Sequence, residues 1–316
     1  MVRILLQFPG RGAAAWHDAV AAALPEATID TWPEVRSGLA ARTIARPDYA
    51  LVWKPPPELF TDAAPTRAVF NLGAGVDALV AVPTLPRDVP VIRLEDAGMA
   101  AQMAGYATLA VLAAHREMRA YAEAQREARW TPRPRRAPED FGVGLLGLGV
   151  LGQAAAAALS PFAFPLHGWS RSQRTLPGVT CHAGEAGLPA FLARSRVLVC
   201  LLPSTTETRG LLNRSRLALL PVGAEVVNAG RGDLIVDADL LALLDDGRLG
   251  GATLDVFRDE PLPPTHPFWH HPRVTITPHV SAVTDVGASV AQVAAKIRRL
   301  ERGEAVSGVV DVARGY

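Results

Sequence analysis

Apolar residues recur along this chain in short unbroken runs, set apart by Ala-rich stretches with helical spacing. In the first third, "VRILLQF", "YALVW", "AVFNLG" and "VPVIRLE" read as strands, and "AAAWHDAVAAAL" reads as a helix. Runs without polar alternation are strands covered on both faces. Their alternation with helices is the pattern of a parallel sheet carrying helices on each side. From about Met99 to Ala128 the spacing of Leu, Met and Tyr predicts one long Ala-rich helix. It stops at "WTPRPRRAPED", whose prolines cannot continue it.

A second alternating series begins at Phe141. "FGVGLL", "LHGW", "RVLVCLL", "AEVVNA", "GATLDV" and "RVTIT" read as strands, with "QAAAAAL" and "VDADLLALLDD" as helices between them. A final amphipathic helix is expected over "ASVAQVAAKIRRLERG". No repeat of solenoid period is present. A chain of 316 residues can form two cores, so the expected fold is α/β with two doubly wound domains.

Composition narrows the function classes. Hydrophobic residues make up 49% and charged residues 20%, as in a globular protein, and a net charge of +1 offers no broad grip on nucleic acid or an acidic membrane. Cys181 and Cys200 are the only cysteines, without metal-ligand spacing, which points to a reducing compartment and no disulfide framework. "MVRILLQFPGRG" has no signal-peptide cleavage pattern, and no segment reaches the roughly 18 apolar residues of a membrane span. A cytoplasmic protein is expected. Lysine occurs only at positions 54 and 296 while arginine is abundant, so a lone surface arginine says little and Schiff-base chemistry is disfavoured. The adjacent His270 and His271 project apart in an extended segment and lack a third ligand, so no metal is expected there. Neither G-x-S-x-G nor H-E-x-x-H occurs, and "RPRR" is too short for a nucleic-acid patch.

Gly147, Gly149 and Gly152 form G-x-G-x-x-G between an apolar strand and a helix opened by Val150 and Leu151. Such glycines serve a tight turn, the close approach of a pyrophosphate, and close helix–strand packing. The helix start then turns N–H groups and a positive dipole end toward the phosphates. A dinucleotide is therefore the expected cofactor. About 20 residues further on, an acidic residue would hold the adenosine ribose 2′-OH. Here "LHGWSRSQR" supplies Ser170, Arg171 and Arg174 and no carboxylate. Guanidinium and hydroxyl groups bind a 2′-phosphate by charge-assisted hydrogen bonds, so NADPH is expected to be preferred, with NADH possible.

Three later segments place polar groups at the C-terminal sheet edge, where ligands bind in such folds. "VVNAGRGDLI" carries Arg231, "LDVFRDEPLP" carries Asp255 and Glu260, and "VTITPHVSA" carries His279. Arg, Glu and His suit reduction of a 2-keto acid. The guanidinium holds the carboxylate and polarises the carbonyl, and the imidazolium gives a proton to the carbonyl oxygen. A carboxylate beside the imidazole orients it and favours its charged form. Taken singly, each residue has an ordinary reading as a loop-capping arginine, a solvated glutamate or a satisfied histidine.

Taken together, "NLGAGVD", "RLEDAGMAAQM", "GLLGLGVLG", "WSRS", "NAGRGD", "LDVFRDEPLP", "RVTITPHVSA" and the terminal "DVARGY" resemble the D-2-hydroxyacid dehydrogenases over nearly the whole chain, and most closely their glyoxylate/hydroxypyruvate reductases of the A type. The resemblance implies that Arg231, Glu260 and His279 are catalytic and that Asp255 contacts the nicotinamide carboxamide. Leu202, Pro203 and Ala229 would line the cofactor. The backbone of Leu72, Gly73, Ala74 and Gly75 would bind the substrate carboxylate together with Arg231, and Trp53 would line the pocket, with Lys54 a weaker candidate. It implies a Rossmann-type cofactor domain, 96–285, inserted into a flavodoxin-like substrate domain, 1–95 and 286–316, with a cleft that closes over substrate. It also implies a homodimer built on the long helix, with Trp130 reaching toward a partner. The expected reaction is NADPH-dependent reduction of glyoxylate and hydroxypyruvate. The alternatives are the same chemistry on a larger 2-keto acid, or a nucleotide-sensing binding protein, since a fold does not fix function.

Overall fold

The computed structural model describes residues 1–32, 34–40, 45–312 and 314. Ala313, Gly315 and Tyr316 of the "DVARGY" motif lie outside the described residues. The chain divides into two compact units, Met1–Gly98 with Thr284–Tyr316, and Met99–Val283. The division falls between 98 and 99 and between 283 and 284.

The first unit holds β1 (Arg3–Gln7), β2 (Thr28–Thr31), β3 (Tyr49–Val52), β4 (Ala68–Asn71) and β5 (Val91–Arg93), all parallel, in the order β2-β1-β3-β4-β5. This is the flavodoxin-like order, with its reversal between β1 and β3. Strands β3 and β4 are buried throughout, as their apolar runs demand. The polar "TIDT" of β2 was not anticipated as a strand. It lies at the sheet edge and is only partly buried. Helix Ala13–Ala23 packs on the last helix, Val286–Glu301, which Asp285 caps by accepting the Ala288 N–H at 2.7 Å.

The second unit holds β6 (Val143–Leu146), β7 (Leu166–Ser170), β8 (Val179–Ala183), β9 (Val197–Cys200), β10 (Ala224–Asn228), β11 (Leu249–Leu254) and β12 (Val274–Ile276). All pair in parallel in the order β12-β11-β10-β9-β6-β7-β8. The order reverses between β6 and β9, the doubly wound arrangement that opens a ligand crevice at the strand C-termini. Cys200 is fully buried on β9, where burial pushes its thiol up and keeps it protonated and inert.

The expectation of one helix from Met99 to Ala128 is corrected. The chain forms Met99–His115 and Met118–Arg126, broken at Glu117, whose φ of 54° is left-handed. The first helix buries Met103, Ala107, Val111 and Ala114 and packs on helix Val150–Leu159. The second is largely polar and buries only Ala124. The break is fixed by charge, because the Glu117 carboxylate takes Arg133 at 2.7 Å and Arg136 at 2.9 Å, folding the linker back on the turn. Among the described residues no helix is long and apolar enough to cross a membrane.

Candidate active site

The turn after β6 has the geometry of a phosphate cradle. Gly147 leaves the strand at a φ of +117°, which side-chain-bearing residues rarely adopt. A Cβ on Gly152 would lie 1.9 Å from the Gly147 carbonyl oxygen, so this glycine lets helix Val150–Leu159 approach the turn. Gly149 is different. It caps the helix, and a Cβ there would meet nothing within 4 Å. The space over Gly149, beside the unpaired N–H groups of the helix start, is where an anion fits. Leu202 forms the wall, since its side chain lies 3.3 Å from a Cβ built on Gly147 and its carbonyl oxygen 2.7 Å from one built on Gly230. Pro203 follows, its carbonyl accepting from the Thr208 hydroxyl at 2.7 Å, and Ala229 is buried, its N–H donating to Cys200 O at 3.2 Å.

Strand β7 ends beside this turn, since the Gly147 N–H donates to Trp169 O at 3.0 Å. The next residue, Ser170, is buried and donates its hydroxyl to Ser172 O at 2.8 Å. Arg171 and Arg174 are exposed. Arg171 pairs with Glu207 at 3.4 Å, an exposed contact that an incoming anion can displace at small cost. No carboxylate stands on the strand end itself, so the donor set fits a phosphorylated ribose.

Three loops converge at the other half of the sheet edge. After β10, buried Asn228 donates its side-chain amide to Arg231 O at 2.9 Å and accepts the Gly230 N–H at 3.2 Å, which folds the Arg231 loop. The Arg231 guanidinium donates to Gly230 O at 2.8 Å. Gly232 packs this loop onto the next, because a Cβ there would lie 1.9 Å from the Phe257 carbonyl carbon. The Phe257 N–H in turn donates to Glu260 Oε1 at 3.0 Å, and Glu260 Oε2 lies 2.8 Å from His279 Nδ1. The structure thus joins Glu260 to His279 directly and seats the Arg231 loop against the segment that carries Glu260.

His279 does not follow its strand immediately. It lies three residues past Ile276, with a φ of 56°, and its N–H donates to Asp255 O at 2.8 Å and Thr277 O at 3.1 Å. Asp255, which the resemblance placed on the nicotinamide carboxamide, has no exposed surface, and its carboxylate braces the histidine loop. Its Oδ1 accepts from the Thr277 hydroxyl at 2.6 Å and the Val280 N–H at 2.9 Å, and its Oδ2 accepts the Ser281 N–H at 2.9 Å. A buried carboxylate requires such donors, and the loop supplies them. Asn228 and Thr277 stand in the quoted motifs, yet nothing in their spacing marked them as supports.

In the first unit, Trp53 and the 72–75 loop meet at the ends of β3 and β4. A Cβ on Gly73 would lie 2.2 Å from the Trp53 ring, so only glycine allows this packing. Buried Asn71 donates to Gly73 O at 2.8 Å and Gly75 O at 2.9 Å, holding the loop around Ala74, while Leu72 is buried beneath it. Lys54 has a φ of 46°, and its ammonium lies 5.9 Å from the Trp53 ring centre.

A parallel sheet with a glycine turn at its reversal and an Arg–Glu–His edge defines a dinucleotide-dependent oxidoreductase of the doubly wound class. Residues 108–281 match the D-isomer specific 2-hydroxyacid dehydrogenase, NAD binding domain, and the chain belongs to this family. It is 44% identical over 320 residues, covering 100% of both chains, to glyoxylate/hydroxypyruvate reductase A of Salmonella choleraesuis (strain SC-B67). Among solved structures it is similar to a D-isomer specific 2-hydroxyacid dehydrogenase from Xanthobacter autotrophicus Py2 in complex with NADPH and MES, with TM-score 0.91, 42% identity and 100% of both chains covered. It is likewise similar to the NADPH-dependent glyoxylate/hydroxypyruvate reductase from Sinorhizobium meliloti in complex with NADP and sulfate, with TM-score 0.92, 38% identity and the same coverage.

Proposed function

We propose that this protein reduces small 2-keto acids, glyoxylate to glycolate and hydroxypyruvate to D-glycerate, with NADPH preferred and NADH accepted less well. The observation that carries the reading is the 2.8 Å pairing of Glu260 with His279 Nδ1 in the family's own motifs.

The pyrophosphate would rest over Gly149 against the helix start at Val150, Leu151 and Gly152. Ser170, Arg171 and Arg174 would take the 2′-phosphate, with Leu202, Pro203 and Ala229 against the nicotinamide end. When bound, the reduced nicotinamide supplies a hydride to the carbonyl carbon. The chain supplies the proton and the charge. Arg231 would leave the Gly230 carbonyl for the substrate carboxylate and polarise the adjacent C=O. With Nδ1–H held by Glu260, Nε2 is the other ring nitrogen, from which the imidazolium would give its proton to the carbonyl oxygen. The ring is left neutral, its remaining proton still on Nδ1. The N–H groups of Leu72–Gly75, braced by Asn71 with Trp53 beneath, are read as holders of a carboxylate. Asp255 is read as a support for the His279 loop.

The same reading includes a cytoplasmic homodimer. Leu109, Met118 and Trp130 are exposed apolar groups on and after the two central helices, with Trp130 at 95%. Sedimentation at micromolar concentration tests it, with a monomer as the contrary result.

The deciding experiment measures initial rates with glyoxylate and hydroxypyruvate, each with NADPH and NADH. Keto-acid-dependent oxidation that favours NADPH is expected. Absence of turnover with either acid, while phenylpyruvate or 2-ketoisocaproate is reduced, would move the substrate assignment to larger keto acids. Absence with all four would favour the nucleotide-sensing alternative.

A further inference from the structure

We propose that Tyr106 is a positioning residue for His279, acting through the Thr277 hydroxyl and the buried Asp255 carboxylate. The inference rests on His279 being the proton donor.

The order of donors can be fixed from chemistry. An ionised carboxylate only accepts, so the single Thr277 hydroxyl proton goes to Asp255 Oδ1 at 2.6 Å. The 2.7 Å contact between Tyr106 and Thr277 must then use the phenol proton, donated to Thr277 Oγ1. Burial first, and then the Asp255 charge, push the Tyr106 phenol up, so it keeps that proton throughout the neutral range. A hydroxyl that accepts one hydrogen bond donates a stronger one, so the phenol reinforces the Thr277–Asp255 bond.

What this line of hydrogen bonds holds is an uncommon backbone. His279 is left-handed at a φ of 56°, and its N–H and those of the next two residues all end on Asp255. Loosening the carboxylate releases the Val280 and Ser281 contacts together, and with them the direction of the imidazole. Tyr106 also gives the line a fixed origin. It projects from helix Met99–His115, which packs on the helix that begins at the phosphate turn. The residue that sets the proton donor is thereby mounted on the frame that would set the cofactor.

The test is a cycle of Tyr106→Phe, Thr277→Val and the double variant, with Thr277→Ser as the conservative partner and His279→Gln as the reference. Glyoxylate kcat, NADPH Kd by fluorescence titration and thermal midpoints are measured for each. Tyr106→Phe is expected to lower kcat by about threefold and Thr277→Val by about tenfold, with NADPH Kd within about twofold of wild type. The double variant should be no slower than Thr277→Val alone, and Thr277→Ser should recover most of the rate. Equal fold-losses from Tyr106→Phe in both backgrounds would overturn the proposal. So would a Tyr106→Phe enzyme with unchanged kcat, whatever its thermal midpoint. Tyr106→Phe keeps the ring, so it decides the point even where Thr277→Val fails to fold. Undiminished activity in His279→Gln would instead sink the catalytic reading, whereas an inactive His279→Gln with additive Tyr106 and Thr277 effects would sink only this inference.

Discussion

The Glu260 carboxylate is divided between two tasks. Its Oε2 lies 2.8 Å from His279 Nδ1, and its Oε1 takes the Phe257 N–H at 3.0 Å. The second contact holds the first in place, because an anchored carboxylate cannot swing into solvent. It also links the histidine to the Arg231 loop, which Gly232 seats against Phe257.

Glu260→Gln tests the charge while keeping the shape. The amide can still accept from the Phe257 N–H but no longer supports an imidazolium. A positioned acid contributes about 10²–10⁴ in rate, and a fall in kcat near the lower end of that range is expected. NADPH affinity should stay within about twofold of wild type, since no phosphate-binding group changes. Steady-state kinetics with varied glyoxylate check this, and an unchanged kcat would remove Glu260 from the mechanism.

Cofactor preference should follow charge at the end of β7. Replacing Arg171 and Arg174 with alanine is expected to lower kcat/KM for NADPH by about 10- to 100-fold, on the basis of charge-assisted hydrogen bonds, with little change for NADH. Glu207→Gln should act in the opposite direction. It removes the partner that Arg171 contacts at 3.4 Å, yet both side chains are mostly exposed, so the gain should be small and fade with added salt. Equal losses with both cofactors would show that the arginines serve stability rather than the 2′-phosphate.

The glycines of the phosphate turn should separate folding from binding. Gly152→Ala puts a methyl group 1.9 Å from the Gly147 carbonyl, an overpacking that costs about 1–3 kcal/mol and lowers the melting temperature by several degrees. Gly149→Ala meets nothing within 4 Å and should melt like wild type while losing NADPH affinity by roughly tenfold or more. Normal NADPH binding by Gly149→Ala would place the pyrophosphate elsewhere.

Much of this arrangement was legible in the sequence because burial and function there use local signals. The strands covered on both faces appear as apolar runs, and the phosphate turn appears as glycines between a strand and a helix. Two of the four edge strands lack that signal: the "TIDT" of β2 and the "VTCHA" of β8, both only partly buried, carry no apolar run. The break at Glu117 was hidden as well, since its cause is an ion pair with arginines 16 and 19 positions further on. Asp255 shows the same limit at the site. Its motif marked it as functional, but its partners stand 22 to 26 residues away, and only the folded chain shows that it serves His279.

Stability should fall on mild acidification, through two histidines outside the proposed site. His167 on β7 and His182 on β8 have ring centres 5.9 Å apart, and His167 Nδ1 and His182 Nε2 are buried without a hydrogen-bond partner among the described residues. Burial pushes both imidazoles below their ordinary value of 6.5. His182 adds to the effect on His167, and Arg194 opposes protonation of both. The unfolded chain therefore takes up protons first as pH falls, so the stability held by the neutral pair is complete above about 6.5 and declines below it. Glu117 and Glu95 belong to a different window. Arg133 holds the first and Ser307 the second below 4.5, so their contribution persists until pH drops under that value. Urea midpoints at about pH 7.5 and 5.5 sample the histidine term, since both pH values lie above the carboxylate window. Wild type should lose stability across that interval, and His167→Gln/His182→Gln should lose much less. An equal loss in both proteins would assign the acid sensitivity to other groups and leave this pair without a role in it.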